Sequence, residues 1–304
     1  MTGLIDLHAH FLPEAYREAL VRHGHDRPDG FPRIPEWSAA EHVAMMDRQG
    51  IERALLSISS PGVAMEAGLA RMVNEEGRRA VDDHPGRFGL FASLPLPDVD
   101  AALAEIAHCC DTLAVDGFAL LTNVGGTYLG DEALAPVWAE LDRRRARVFI
   151  HPTSPPCWER TALDRPRPMV EFLFDTTRAV VDLVLTGTIA RHPGIDLIVP
   201  HGGATLAMVA DRVSVFSLLL DVGPEVDVLA DLARLHYDLA GYPLPRQLDA
   251  LRTLTAPDHL HYGSDFPFTP EVAVEDSRHR LAEVDGLLAG LRAGTERLLR
   301  QDPP

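Results

Sequence analysis

His8 and His10 stand one residue apart in IDLHAHFLP. Three more residues able to bind metal or move protons recur in short apolar contexts: His151 in VFIHP, His201 in LIVPHGG and Asp265 in GSDFP. Imidazole with carboxylate suits zinc, manganese or iron, and three or four such ligands leave a coordination position open for water or substrate. A divalent ion so held can act as a Lewis acid on a bound acid, or lower the pKa of a bound water to about 7. Any one of these histidines alone would more often be a structural residue; it is the set that points to a metal site.

To share one site, the five residues must be brought to one level. Short apolar runs at 4–10, 53–59, 88–94, 116–122, 147–152, 196–202, 235–241 and 260–266 alternate with amphipathic stretches such as DEALAPVWAELDRRR. Eight strands alternating with helices form the pattern of an α/β fold of the (β/α)8 TIM-barrel type, which keeps its active site at the C-terminal ends of the strands. A doubly wound sheet would carry a glycine-rich turn after an early strand, and HFLPEAY has none. His151, His201 and Asp265 fall at three predicted strand ends. Strict alternation in the first strand puts Asp6, His8 and His10 on one face and Ile5, Leu7 and Ala9 on the other, so the polar face is expected inside the barrel. Residues 1–304 are expected to make one such domain, with an irregular lid-like insertion at about 21–37 and a second long loop at 154–168.

The bulk composition agrees with an enzyme acting on small molecules. Of the 304 residues 46% are hydrophobic, enough for a large core, and the net charge of −17 argues against nucleic acid or an anionic membrane as partner. Three cysteines, Cys109, Cys110 and Cys157, make no disulfide framework. No basic segment precedes an apolar run at the start, and no apolar stretch reaches roughly 18 residues, so a reduced cytoplasmic location is expected. His84 and His192 each precede Pro-Gly after a helical segment and read as helix ends.

The motifs DLHAHFLP, HPTSP, PHGGATL and GSDFP occur in the order found in the amidohydrolase superfamily, and they span nearly the whole chain. The chain resembles the branch of aminocarboxymuconate-semialdehyde decarboxylase and its relatives. The pieces HPGRFGLFASLPL and TTRAVVDLVLTGTIARHPGIDLIVPHGGATL look most like the 6-methylsalicylate decarboxylases. The resemblance implies His8, His10, His151 and Asp265 as ligands of one divalent metal, with His201 beside it as acid/base. It also implies a homodimer. No lysine is offered for a carbamate bridge, which favours a mononuclear site.

The activity expected is non-oxidative decarboxylation of a small aromatic or enolic carboxylic acid of the salicylate type, with zinc as the metal and manganese or iron as alternatives. The same residues would also suit an amidohydrolase or lactonase that attacks with metal-activated water. Candidate substrate contacts are Phe11, Trp37, Ser60, Arg178 and Phe266, with Ser59, Arg27 and Arg33 as further possibilities. Each arginine is equally compatible with a solvated surface charge, and serine before Pro-Gly is ordinary turn chemistry. Asp238 and Asp6 are candidates for orienting the ligands. A second His-x-His, His259 and His261, sits at the start of the last predicted strand and reads as structural.

Overall fold

Apolar strands that alternate with amphipathic helices bury both faces when the strands close on themselves. The computed structural model describes residues 3–220 and 222–300. Its eight parallel strands pair in chain order: β1 Leu4–His10, β2 Ile51–Ser57, β3 Phe88–Ser93, β4 Gly117–Leu121, β5 Arg147–His151, β6 Asp196–Val199, β7 His236–Asp238 and β8 Leu260–His261. The barrel shuts between the chain's two ends. Leu7 N donates to Tyr262 O at 2.9 Å, and His10 N donates to Phe266 O at 2.8 Å.

Alternation divides the strand residues into two layers. Leu55, Phe91, Phe149 and Ile198 pack together inside the barrel, while Leu56, Leu90, Phe118 and Val148 face the helices. Burying each such side chain contributes about 1.5–3 kcal/mol. Strand β1 departs from the strict alternation expected of it. Ile5 and Leu7 join the inner cluster, whereas Asp6 pairs in register with Ala54 and Tyr262 of the outer layer. Between Asp6 and Ala9 the register with β2 slips, and the irregularity returns His8 to the side of His10. Asp6 therefore does not share the face of His8.

Three strands are shorter than their apolar runs. Strand β6 stops at Val199, because Pro200 has no N–H for the ladder and the next four residues take positive φ. Strand β7 is limited to three residues and β8 to two, and beyond β8 the chain meets β1 again at Phe266. His84 and His192 do terminate helices, Leu69–Asp83 and Thr188–Arg191.

At the N-terminal end of the barrel, His236 Nδ1 meets His261 Nε2 at 2.9 Å, and His261 Nδ1 meets Thr295 Oγ1 at 2.9 Å. His259 stacks on His236 at 4.5 Å. Burial, aided by the neighbouring His259, pushes His236 down to about 4, and burial holds His261 well below the ordinary range. A histidine with a depressed folded-state pKa takes its proton first in the unfolded chain. The stability of its neutral form is complete above about 6.5 and falls as pH drops toward 4, by about 1.4 kcal/mol per pH unit for each group. With a chelator present, so that metal loss does not contribute, the urea midpoint is expected to fall between pH 7 and pH 5. His236→Asn should flatten that dependence; parallel curves for the two chains would show that His236 does not titrate on unfolding.

Candidate metal centre and active-site cavity

The Nε2 atoms of His8 and His10 lie 3.2 Å apart. Asp265 Oδ1 is 3.4 Å from the first and 3.2 Å from the second. One ligand atom from each of His8, His10, His151 and Asp265 lies within 4.8 Å of all the others. On the far side of each ring, Nδ1 is already engaged. His8 Nδ1 meets Asp238 Oδ2 at 2.9 Å, His10 Nδ1 meets Ser57 O at 3.2 Å, and His151 Nδ1 meets Pro152 O at 2.7 Å. A carbonyl can only accept, so these contacts place the proton of His10 and His151 on Nδ1 and leave the Nε2 lone pair for a ligand. Three converging imidazoles and one carboxylate are a donor set that fits a single divalent ion. The chain contains no lysine to bridge a second one.

Charge at the centre suits a bound cation. Burial disfavours a protonated His8, but Asp238 and Asp265 on either side outweigh it and hold its pKa up at about 10. Burial also opposes ionisation of Asp265; hydrogen bonding to His10, His201 and His8 wins and keeps that carboxyl well below its usual range. His10 and His151 are pushed down by burial and stay neutral. A metal entering this cluster displaces the proton of His8 and takes over its charge balance.

His201 Nε2 stands 4.0 Å from Asp265 Oδ2, and the His201 ring lies 4.9 Å from that of His8. Asp238 is wholly buried and binds His8 through Oδ2, while Oδ1 accepts from the backbone N of His201 at 3.1 Å. Asp6 reaches the site through backbone alone: its Oδ1 accepts from His8 N and Ser264 N, each at 3.0 Å. His151, His201 and Asp265 floor a cavity of about 290 Å³. That is the small end of the range for ligand sites.

The cavity walls come from segments that sequence reasoning did not single out for this purpose. Phe31, Phe172, Phe268, Met169 and Leu173 make an apolar surround, and Ser59 and Gln247 add polar groups. Phe31 packs on Phe268 at 5.3 Å, and Asp29 accepts from Ser154 Oγ at 2.5 Å, so the 21–37 and 154–168 segments meet above the site. Of the substrate contacts expected from sequence, Ser59 lines the cavity and the others lie elsewhere. Phe11 and Trp37 pack against each other at 6.0 Å outside this cavity, and Trp37 Nε1 donates to His42 Nδ1 at 2.9 Å. Phe266 packs on His42 at 4.9 Å. Ser60 Oγ is paired with Thr153 Oγ1 at 2.7 Å. Arg178 donates to Tyr128 Oη at 3.2 Å and Asp175 Oδ1 at 3.1 Å, and Arg27 and Arg33 are exposed. No arginine lines the cavity among the described residues. The one signal that pointed toward Phe31 was its place in the irregular segment after β1; Phe172 and Gln247 sit in ordinary helices and carried none.

Comparison with known proteins matches this geometry. Residues 5–298 match the amidohydrolase family model. The 6-methylsalicylic acid decarboxylase of Penicillium expansum is 38% identical over 282 residues, covering 89% of this chain and 86% of that protein. A crystal structure of an amidohydrolase II superposes with a TM-score of 0.93 at 34% identity, covering 98% of this chain and 100% of the other. A dihydroxybenzoic acid decarboxylase from Polaromonas sp. JS666, solved with bound manganese, shares the fold at 19% identity and a TM-score of 0.83, over 100% of this chain and 98% of the other. The chain belongs to the amidohydrolase family, in its branch of metal-dependent decarboxylases.

Proposed function

We propose that this chain decarboxylates a small aromatic acid of the salicylate type at one divalent metal held by His8, His10, His151 and Asp265. The observation that carries the reading is that this four-residue cluster meets, through His151 and Asp265, the floor of a small cavity with mostly apolar walls. Zinc is the metal this set of three imidazoles and one carboxylate suits best, with manganese and iron as alternatives. When bound, the ion supplies Lewis acidity and a template for the carboxylate and its ortho oxygen.

The chain's own residues do the rest. Phe31, Phe172, Phe268 and Met169 hold the aromatic ring and keep water from the reacting carbon. The bond from ring to carboxylate breaks, its electron pair stays on the ring carbon, and CO2 leaves. A proton must then reach that carbon. Asp265 and His201, 4.0 Å apart at the cavity floor, are the pair that hold and deliver it, with Asp265 as the carrier and His201 supporting it. The segment around 21–37 serves as a lid, which the packing of Phe31 over Phe268 supports.

Two protomers are proposed to pair through the helix Leu206–Leu220. Met208, Leu218 and Leu219 on it are each more than 70% exposed, and only Leu206 and Ala210 are buried. Exposed apolar residues gathered on one helix call for a second covering surface. Its three cysteines are unpaired, which supports a reducing, cytoplasmic setting.

About one divalent metal per chain is expected by elemental analysis. His8→Ala with His10→Ala should abolish it, and full occupancy in that double variant would remove the ligand assignment. Incubation with salicylates in heavy water should release CO2 and leave deuterium on the carbon that bore the carboxylate. Turnover of esters or lactones alone would replace this reading with a hydrolytic one. Light scattering should give twice the chain mass, falling to one chain with Leu219→Arg; a single-chain mass for the wild type would rule out the dimer.

A further inference from the structure

His201, Gly202, Gly203 and Ala204 follow one another at φ of 54°, 63°, 72° and 55°. Glycine takes that region freely, but His201 and Ala204 do not, and such residues persist only where their surroundings over-determine them. Ala204 N donates to His201 O at 3.0 Å, and Asp238 Oδ1 accepts from His201 N at 3.1 Å. Gly203 N donates to Pro200 O at 3.1 Å, and a side chain adds a further tie. Gln247 Nε2 donates to His201 O and, at 2.9 Å, to Ala204 O. The two carbonyls it bridges belong to the two non-glycine residues of the turn.

Two carbonyl acceptors require a nitrogen opposite them, so the chemistry settles which way the amide of Gln247 faces. Both of its N–H groups are engaged. The close approach depends on glycine, since a Cβ at Gly202 would stand 2.6 Å from Gln247 Cδ. On the ring side, a Cβ at Gly241 would stand 3.1 Å from His201 Cδ2. The His201 imidazole is thus held between a backbone turn locked by Gln247 and a neighbour with no side chain.

We propose that Gln247 is the positioning residue for His201: by clamping the 201–204 turn it keeps the imidazole at the metal-ligand cluster, beside Asp265. This rests on the reading of His201 as part of the proton-delivering pair. Loss of the clamp displaces His201 without touching a metal ligand, so turnover suffers while metal binding does not.

In the zinc-loaded enzyme, Gln247→Glu keeps the shape but has no proton to give when ionised, and Gln247→Met removes both donors at similar volume. Each should lower kcat by about 10- to 100-fold, the scale of a misplaced catalytic group, with metal content close to wild type. His201→Asn alone should lose turnover and keep its metal. In that background Gln247→Met should cost less than about twofold more, because the two residues act as one. A wild-type kcat in Gln247→Met, or losses that multiply in full, would overturn the proposal. If Gln247→Glu does not fold, Gln247→Met carries the same cycle. If the wild-type chain releases CO2 from no acid, the functional reading has failed instead. Clamping is then read from the imidazole 15N resonances of His201 in the zinc form: they move in Gln247→Met if the turn is released, and unmoved resonances overturn the proposal.

Discussion

Asp238, wholly buried at the end of β7, serves three strands with one carboxylate. Its Oδ2 engages His8 Nδ1 from β1 at 2.9 Å, and its Oδ1 accepts from His201 N beyond β6 at 3.1 Å and from Ala240 N at 2.9 Å. An ionised carboxylate without such partners would be prohibitively costly inside a barrel. The requirement works in both directions. Satisfying Asp238 orients the first metal ligand and anchors the backbone of the residue proposed to help deliver the proton. The packing leaves no slack: a Cβ on Gly263 would come 2.8 Å from His8 Cβ and 3.0 Å from Asp238 Oδ1.

The metal centre and the closure of the barrel are the same set of bonds. His8 O accepts from Ser264 N at 3.2 Å and from Asp265 N at 2.7 Å, so the main chain of one ligand holds the main chain of another. Asp265 adopts φ of 58° and His201 φ of 54°. Both groups of the pair proposed to deliver the proton therefore stand on backbone that a regular strand does not supply.

Around this floor the walls are assembled from loops and two helices. Phe31 belongs to the segment after β1, Met169 to the loop after β5, and Phe172 to the helix that follows it. Asp29 and Ser154 join the two loops by a hydrogen bond. An apolar surround with a charged floor strengthens electrostatic interactions at the ligands, because little water is left to screen them. It also explains how a chain of net charge −17 can accept an anion. The attraction comes from the cation that the floor is built to hold, and no arginine among the described residues lines the walls.

Local rules were enough to read the eight apolar runs, the two Pro-Gly helix ends and the placing of His151, His201 and Asp265 at strand termini, because periodicity and turn chemistry act over a few residues. They failed at β1, where the register irregularity between Asp6 and Ala9 turns Ile5 and Leu7 inward and Asp6 away from His8. Alternation presumes an unbroken ladder, and the break arises only from pairing with β2. They failed again at the substrate contacts, where Phe11, Trp37 and Phe266 were taken for ring partners on residue type and neighbourhood. Which aromatic meets a cavity depends on how loops separated by more than a hundred residues cross, and no local pattern encodes that. The sequence by itself determined the barrel and the residues that converge on its metal centre. Tertiary structure decided the cavity around them, because walls made from distant segments exist only after the chain has closed.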